Sequence, residues 1–482
     1  MKNLLALLCS AILALAFGAC ADDDSFSSSP SHLLTFSQDT IRLDTVFSKV
    51  PTATKSFWVY NRSGDGIRCT NIRLANGNQT GFRVNVDGSY LGATSGYQLN
   101  DLEIRKNDSI RVFVELTSPA NNQEKPTLLQ DDLVFALESG TQQKVNLRAF
   151  TWDAEMHTDW VISENTTINS TVPIIIYGGM TVNEGVTLTI TGETKLYFHA
   201  DAALDVYGQL VIQGTSDKNV VLRGDRIDNM FDYLPYDHVS GQWQGIHFYE
   251  KSYDNELNYV DIHGARDAIV CDSSDVSRLK LALYNSVVHN NEGYGLKSVN
   301  SVVDVRNCQI TNALGDCVNI CGGVCMLQHC TIGQFYRFSA NRGVALRFGN
   351  FNANGIYPLY DFQCLNTLVT GYADDVIMGE ADETALYTYK FDHCVLRTPA
   401  IEDELRAIGI RWETTEDADS AGVKHFALID EENILYDFRL DSVSIAIGKA
   451  NKEYVMEYDR LGVKRDDEPD VGCYEYVKPV KD

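Results

Sequence analysis

The sequence predicts an all-β chain with two architectures in series: an antiparallel sandwich, then a solenoid with three short strands in each coil. Three observations predict it. Between Leu33 and about Phe150, apolar pulses such as TKSFWVYNRS, GFRVNV, DSIRVFVEL and DDLVFAL alternate with polar positions and are separated by Gly, Asn and Asp. After Trp152 the pulses shorten, a small turn follows each, and helical periodicity disappears. From residue 259 a four-residue block recurs as YVDI, NSVV, NCQI, HCTI, NTLV and HCVL, with a small second position and an aliphatic fourth.

In chain order, residues 1–19 read as a signal peptide. Lys2 supplies the positive start, Leu4 to Phe17 the apolar run, and Gly18 and Ala19 the small residues before a cut. The run is too short to predict a spanning helix. It ends in FGAC, which resembles the lipobox of bacterial lipoproteins, with Phe17 where leucine is usual. The resemblance implies that Cys20 carries a diacylglycerol and that the chain is anchored in outer-membrane lipid. Asp22, Asp23 and Asp24 follow, and they resemble the surface-export signal of lipoproteins in a large group of Gram-negative anaerobes. That implies a protein facing the cell exterior. The acidic, serine-rich segment 20–32 also has the composition of a flexible tether.

With 482 residues and 44% hydrophobic composition, the chain is long enough for two or three domains and can bury their cores. Its 40 basic and 66 acidic residues give a formal net charge of −26. A field of that sign repels phosphate backbones and argues against a nucleic-acid partner.

Residues 33–155 resemble the immunoglobulin-like β-sandwich of bacterial surface proteins, which implies a spacer or docking module. No catalytic cluster is visible in them. Residues 156–430 carry the repeat. The aligned blocks are 26, 22, 22, 37 and 27 residues apart, so 22 residues make the bare coil and the longer steps contain loops. Two further apolar pulses separate successive blocks, as GYGL and SVVDV do between NSVV and NCQI. Stacking such coils about 4.8 Å apart gives a right-handed parallel β-helix. The stretch 156–400 resembles the superfamily of that name, which specifies fold and leaves function open.

The repeat explains the cysteine-rich stretch NCQITNALGDCVNICGGVCMLQHC. Cys308, Cys330 and Cys394 occupy the same place on their coils, where small apolar thiols stack as core residues. Cys317, Cys321 and Cys325 have CxxxC spacing, whereas a structural zinc site favours CxxC pairs. No metal or cofactor is expected, and a disulfide among these three is left open. Residues 431–482 resemble the ending of many secreted bacterial β-helix proteins, with Arg439, Leu440, Ser444, Ala446, Ile447, Asp459, Gly462, Arg465, Pro469, Asp470, Gly472, Tyr474 and Glu475 in order. The expectation is a C-terminal cap over the solenoid's open end.

Candidate chemistry is sparse. Asp374 and Asp375, in YADDVIMG, resemble the Asp-Asp step of polygalacturonases, in which one carboxylate protonates the leaving oxygen and another activates water. The other polygalacturonase motifs are absent. Asp267 and Asp316 stand at the equivalent turn of other coils, where an aspartate bonds the backbone that follows it. His329 and His393 precede the ladder cysteines and are expected on the solvated side of a turn. Tyr357 and Tyr360, in the longest insertion, are candidates for stacking on sugar rings. The β-helix resemblance admits two functions. One is a glycan-binding adhesin or display scaffold, with a polysaccharide or glycoprotein as partner. The alternative is a polysaccharide lyase or glycoside hydrolase, which requires a row of charged side chains along one exposed sheet.

Overall fold

A computed structural model describes residues 25–231, 233–413 and 422–478. Cys20, Asp22, Asp23 and Asp24 lie outside the described residues. The chain divides into two compact units between Asp153 and Ala154, and the described residues contain no α-helix.

The first unit pairs two five-stranded sheets. Period-two alternation drives it: in Ser109–Leu116 the residues Ile110, Val112, Val114 and Leu116 face inward and Arg111, Phe113 and Glu115 do not. One sheet is antiparallel throughout, and the other carries Thr40–Phe47 parallel to Gln142–Trp152. Phe57, Val59, Val84 and Phe135 fill the core between them. The described part of the expected tether is docked on this unit. Phe26 bridges to Gly66, and the Arg68 guanidinium sits 5.2 Å from its ring centre.

The second unit is a parallel β-helix. Its strands form three stacks, represented in one coil by Val287–Asn291, then the first and second halves of Leu296–Arg306. The aliphatic positions aligned from sequence are partners in the ladder: Ile262 with Val288, Val288 with Ile310, Ile310 with Ile332, Ile332 with Val369, and Val369 with Leu396. The 37-residue step therefore keeps register. Its extra length goes into loops, one of which forms the small hairpin Phe351–Asn352 and Gly355–Ile356.

Cys308, Cys330 and Cys394 are fully buried inside the solenoid. All ten cysteines among the described residues are buried and free, including Cys317, Cys321 and Cys325. Burial pushes the Cys317 and Cys330 thiols up to about 12, so they behave as apolar groups.

One residue before each ladder position the backbone turns left-handed: φ is 52° at Tyr259, 50° at Asn285, 57° at Asn307, 50° at His329, 49° at Asn366 and 50° at His393. Asn tolerates this region better than most residues, which explains its recurrence. The side chains link coil to coil, Asn285 to Asn258 at 2.9 Å and Asn307 to Asn285 at 3.0 Å. The solvated turn expected for His329 is thereby corrected. His329 is buried, its Nε2 lies 3.0 Å from Asn366 Nδ2, and its Nδ1 faces the Gly472 carbonyl at 3.3 Å. Burial and the Arg465 charge hold its pKa far below the ordinary histidine value.

The reason is the path of the C-terminal region. It braces the flank of the solenoid. Gly472 N donates to Asn366 O (2.8 Å), Cys473 N to Thr331 Oγ1 (3.1 Å), Tyr474 Oη to Gln309 Oε1 (2.7 Å) and Arg465 Nη2 to Asn307 Oδ1 (3.1 Å). Phe426, Phe438, Leu440 and Val471 cover the outward residues Phe335, Leu368 and Val395. The motif residues of the ending also hold one another, as Arg465 does Glu475 at 2.9 Å.

Candidate functional site

The site lies on the outer face of the stack containing Val260–His263, Val287–Asn291 and Gln309–Ala313. Ile262, Val288 and Ile310 point into the solenoid, so strand alternation turns Asp261, His263, His289, Gln309 and Thr311 outward. Parallel register sets His263 beside His289, with ring centres 4.7 Å apart. Asp237 and His238 arrive from the preceding insertion, on the single turn Tyr236–His238.

These groups form a chain of hydrogen bonds. Arg223 is ion-paired to Asp237. Asp237 Oδ1 lies 3.0 Å from His263 Nε2, Asp261 Oδ1 lies 2.8 Å from His263 Nδ1, and the same Asp261 oxygen is 3.2 Å from His289 Nε2. Burial disfavours charge on His263, but the two carboxylates overcome it and hold its pKa at about 9. Burial likewise opposes ionisation of Asp261, and the His263 and His289 side chains outweigh it, holding the carboxyl well below its ordinary value. At His238 burial lowers the pKa and outweighs the Asp237 charge that raises it.

Beside the chain is a cavity of about 240 Å³. His289, Asn290, Gln309, Thr311 and Asn312 form its floor, and Tyr436 and Phe438 of the C-terminal hairpin line its other side. The hairpin turn holds Ile434 at φ 58°, a strained conformation for a β-branched residue. Two polar atoms here lack partners: Asn312 Oδ1, on a side chain only 3% exposed, and His238 Nδ1. Amide, hydroxyl and imidazole groups beside aromatic rings can hold a polar ligand with an apolar face. His289 is placed for proton transfer to such a ligand. Asp261, His263 and His289 also present ligand atoms within 4.8 Å of one another, the only such group of three or more among the described residues.

The residues singled out from sequence lie elsewhere. Asp374 is exposed and pairs with Arg397 at 3.0 Å. Asp375 accepts from Thr398 Oγ1 at 2.7 Å and from its own turn at Ile377 N. Asp267 and Asp316 do bond backbone, but that of the next coil, accepting from Tyr294 N at 2.9 Å and Val344 N at 3.0 Å. Tyr360 is exposed, Tyr357 is half-buried, and the cleft beside their hairpin is lined instead by Phe351, Asn352, Arg347 and Glu380. Sequence reasoning missed Asp237, Asp261, His263 and His289. A signal was present, because a histidine directly follows the aliphatic position in two successive blocks, Ile262-His263 and Val288-His289.

No family model matches the chain, and no curated protein matches it. Solved structures with similar stretches include a family 123 glycoside hydrolase from Clostridium perfringens, 8% identical over 26% of this chain and 26% of that one, with a TM-score of 0.17. Another is PapD-like domain 7 of human CEP192, 12% identical over 27% of this chain and 92% of that one, also at 0.17. At that TM-score neither likeness bears on activity.

Proposed function

We propose that this is a lipid-anchored protein of the outer-membrane surface that binds an extracellular glycan on the outer face of its β-helix. Cys20 carries the anchor in this reading, and Asp22, Asp23 and Asp24 direct export. The observation that carries glycan binding is the 240 Å³ cavity, where Asn290, Gln309, Thr311 and Asn312 face Tyr436 and Phe438. A sugar ring needs donors and acceptors at its edge and an apolar surface at its face, and this cavity offers both. Asn312 lines this cavity, and its buried Oδ1 has no hydrogen-bond partner within the protein. Affinity electrophoresis against a panel of polysaccharides tests the reading. Retardation by one of them, weakened about tenfold in Asn312→Ala, is expected. No retardation by any polysaccharide overturns it in favour of a display scaffold.

The enzyme reading is favoured by one observation, the Asp237–His263–Asp261–His289 chain ending at the cavity. Aspartate-oriented imidazole is suited to moving a proton to or from a bound sugar. Release of reducing ends or unsaturated products, lost in His289→Ala, supports this second reading. Retention without products leaves the protein a binder.

A further inference from the structure

The geometry points to a divalent transition-metal centre, of the zinc class, at Asp261, His263 and His289. Two imidazoles and one carboxylate are the donor set that zinc and its first-row neighbours take, with a fourth position left open. Asp261 Oδ1 is 2.8 Å from His263 Nδ1 and 3.2 Å from His289 Nε2, and all three ligand atoms fall within 4.8 Å. Donors about 2.0–2.1 Å from a tetrahedral ion stand roughly 3.3 Å apart, so small side-chain rotations convert this triangle into a coordination sphere. The three residues come from two adjacent strands in fixed parallel register, and so the triangle is held before any ion arrives.

A second observation is independent of the triangle. His263 uses its other nitrogen, Nε2, to meet Asp237 at 3.0 Å, and Asp237 is itself fixed by Arg223. A carboxylate behind a ligating imidazole sets its tautomer and raises its basicity, the usual surroundings of a metal-bound histidine. The open position would be reached through the cavity, which His289 lines. Binding would require both ligating nitrogens to give up their hydrogens, that of His289 Nε2, now facing Asp261 Oδ1, passing to solvent or to its own Nδ1. His263 Nδ1 releases its proton to solvent and offers the lone pair to the ion, while Nε2–H stays bonded to Asp237. The inference rests on ligand geometry and stands whether or not a glycan binds.

The test uses the full chain, stripped with a chelator and dialysed against zinc. The expected result is about one zinc per chain by elemental analysis, a higher melting temperature with zinc, and loss of both in His289→Ala and in Asp261→Asn. Cysteines are the competing ligands, ten of them buried among the described residues, so cobalt(II) is substituted for zinc. Visible d–d bands without thiolate charge transfer are expected. Failure of the wild type to take up zinc, or uptake that survives in His289→Ala, overturns the inference. Should that variant fail to fold, the wild-type cobalt spectrum decides, and thiolate charge transfer or no spectrum at all overturns it. Polysaccharide retention is measured on the same stripped and loaded samples, which separates loss of metal from loss of glycan binding.

Discussion

His425→Ala should detach the C-terminal flank from the last coils. His425 is fully buried, with Nδ1 2.8 Å from Ser444 Oγ and Nε2 2.8 Å from Glu413 Oε1. The arrangement has the connectivity of a catalytic triad, but Ser444 is 6% exposed, Glu413 4% and His425 0%, so no substrate reaches it. It acts as a latch. Glu413 also pairs with Arg397 at 3.3 Å and accepts from Gly422 N at 3.0 Å and Thr370 Oγ1 at 3.1 Å. Removing the imidazole deletes a hydrogen bond to a carboxylate, worth about 1.5–3 kcal/mol, and a neutral one worth about 1 kcal/mol. It also leaves a buried charge short of a partner and opens a cavity, so the total should be roughly 3–5 kcal/mol. Urea unfolding followed by tryptophan fluorescence measures it, with Trp412 adjoining Glu413 as the local reporter. Limited proteolysis should release the flank from the variant first. A loss under about 1 kcal/mol would refute the latch, because it would mean that these buried groups find solvent or new partners without cost.

The latch also has a pH signature. Burial opposes ionisation of Glu413, but His425, the Gly422 amide and Thr370 outweigh it and hold its pKa below the ordinary 4.5. A depressed carboxylate contributes stability that is present above its unfolded value and is lost as pH falls through its folded one. The flank should therefore loosen in acid below about pH 4.5, and Glu413→Gln should flatten that dependence.

Cys308→Ala should cost about 1–2 kcal/mol through a small cavity, read by urea unfolding, with Cys308, Cys330 and Cys394 unreactive to thiol reagents in the native protein. Cys20→Ala should leave the chain unlipidated by labelled fatty acid and released from membranes, and alanines at Asp22, Asp23 and Asp24 should reduce its sensitivity to protease applied to whole cells. Asp374→Asn with Asp375→Asn removes an exposed ion pair and should change stability by no more than about 1 kcal/mol, with polysaccharide retention unaltered. Tyr357→Ala with Tyr360→Ala should leave polysaccharide retention unchanged, because neither ring lines the cavity that carries the proposed glycan site.

The fold was legible because a solenoid writes its register into the sequence. Each aliphatic at the fourth position of the repeat meets its counterpart one coil away, so spacing alone identified the ladder from Ile262 to Leu396. The cysteines yielded to the same argument. What failed was anything that depends on a partner distant in sequence. His329 looks solvated until Gly472, 143 residues later, is laid over it. The ending was recognisable from its motif, yet its place along the flank depends on Asn307, Gln309, Thr331 and Asn366, whose polar groups carry no local mark of what they bind.

The same covering explains where a ligand site can exist. Over the later coils the flank lies on apolar outward residues, Phe335, Leu368 and Val395, and buries them as a second core. Over the earlier ones the outward residues are Asp261, His263, His289, Gln309 and Thr311. A brace alone would favour apolar side chains throughout, because each desolvated polar group costs free energy unless it is paired. Asp261 and His263 offset that cost by pairing with each other, and Gln309 by bonding Tyr474 and Thr311. Asn312 Oδ1 and His238 Nδ1 do not. The change from apolar to polar within one sheet coincides with the cavity. Bracing does not require that change, and the proposed ligand site would give it a reason.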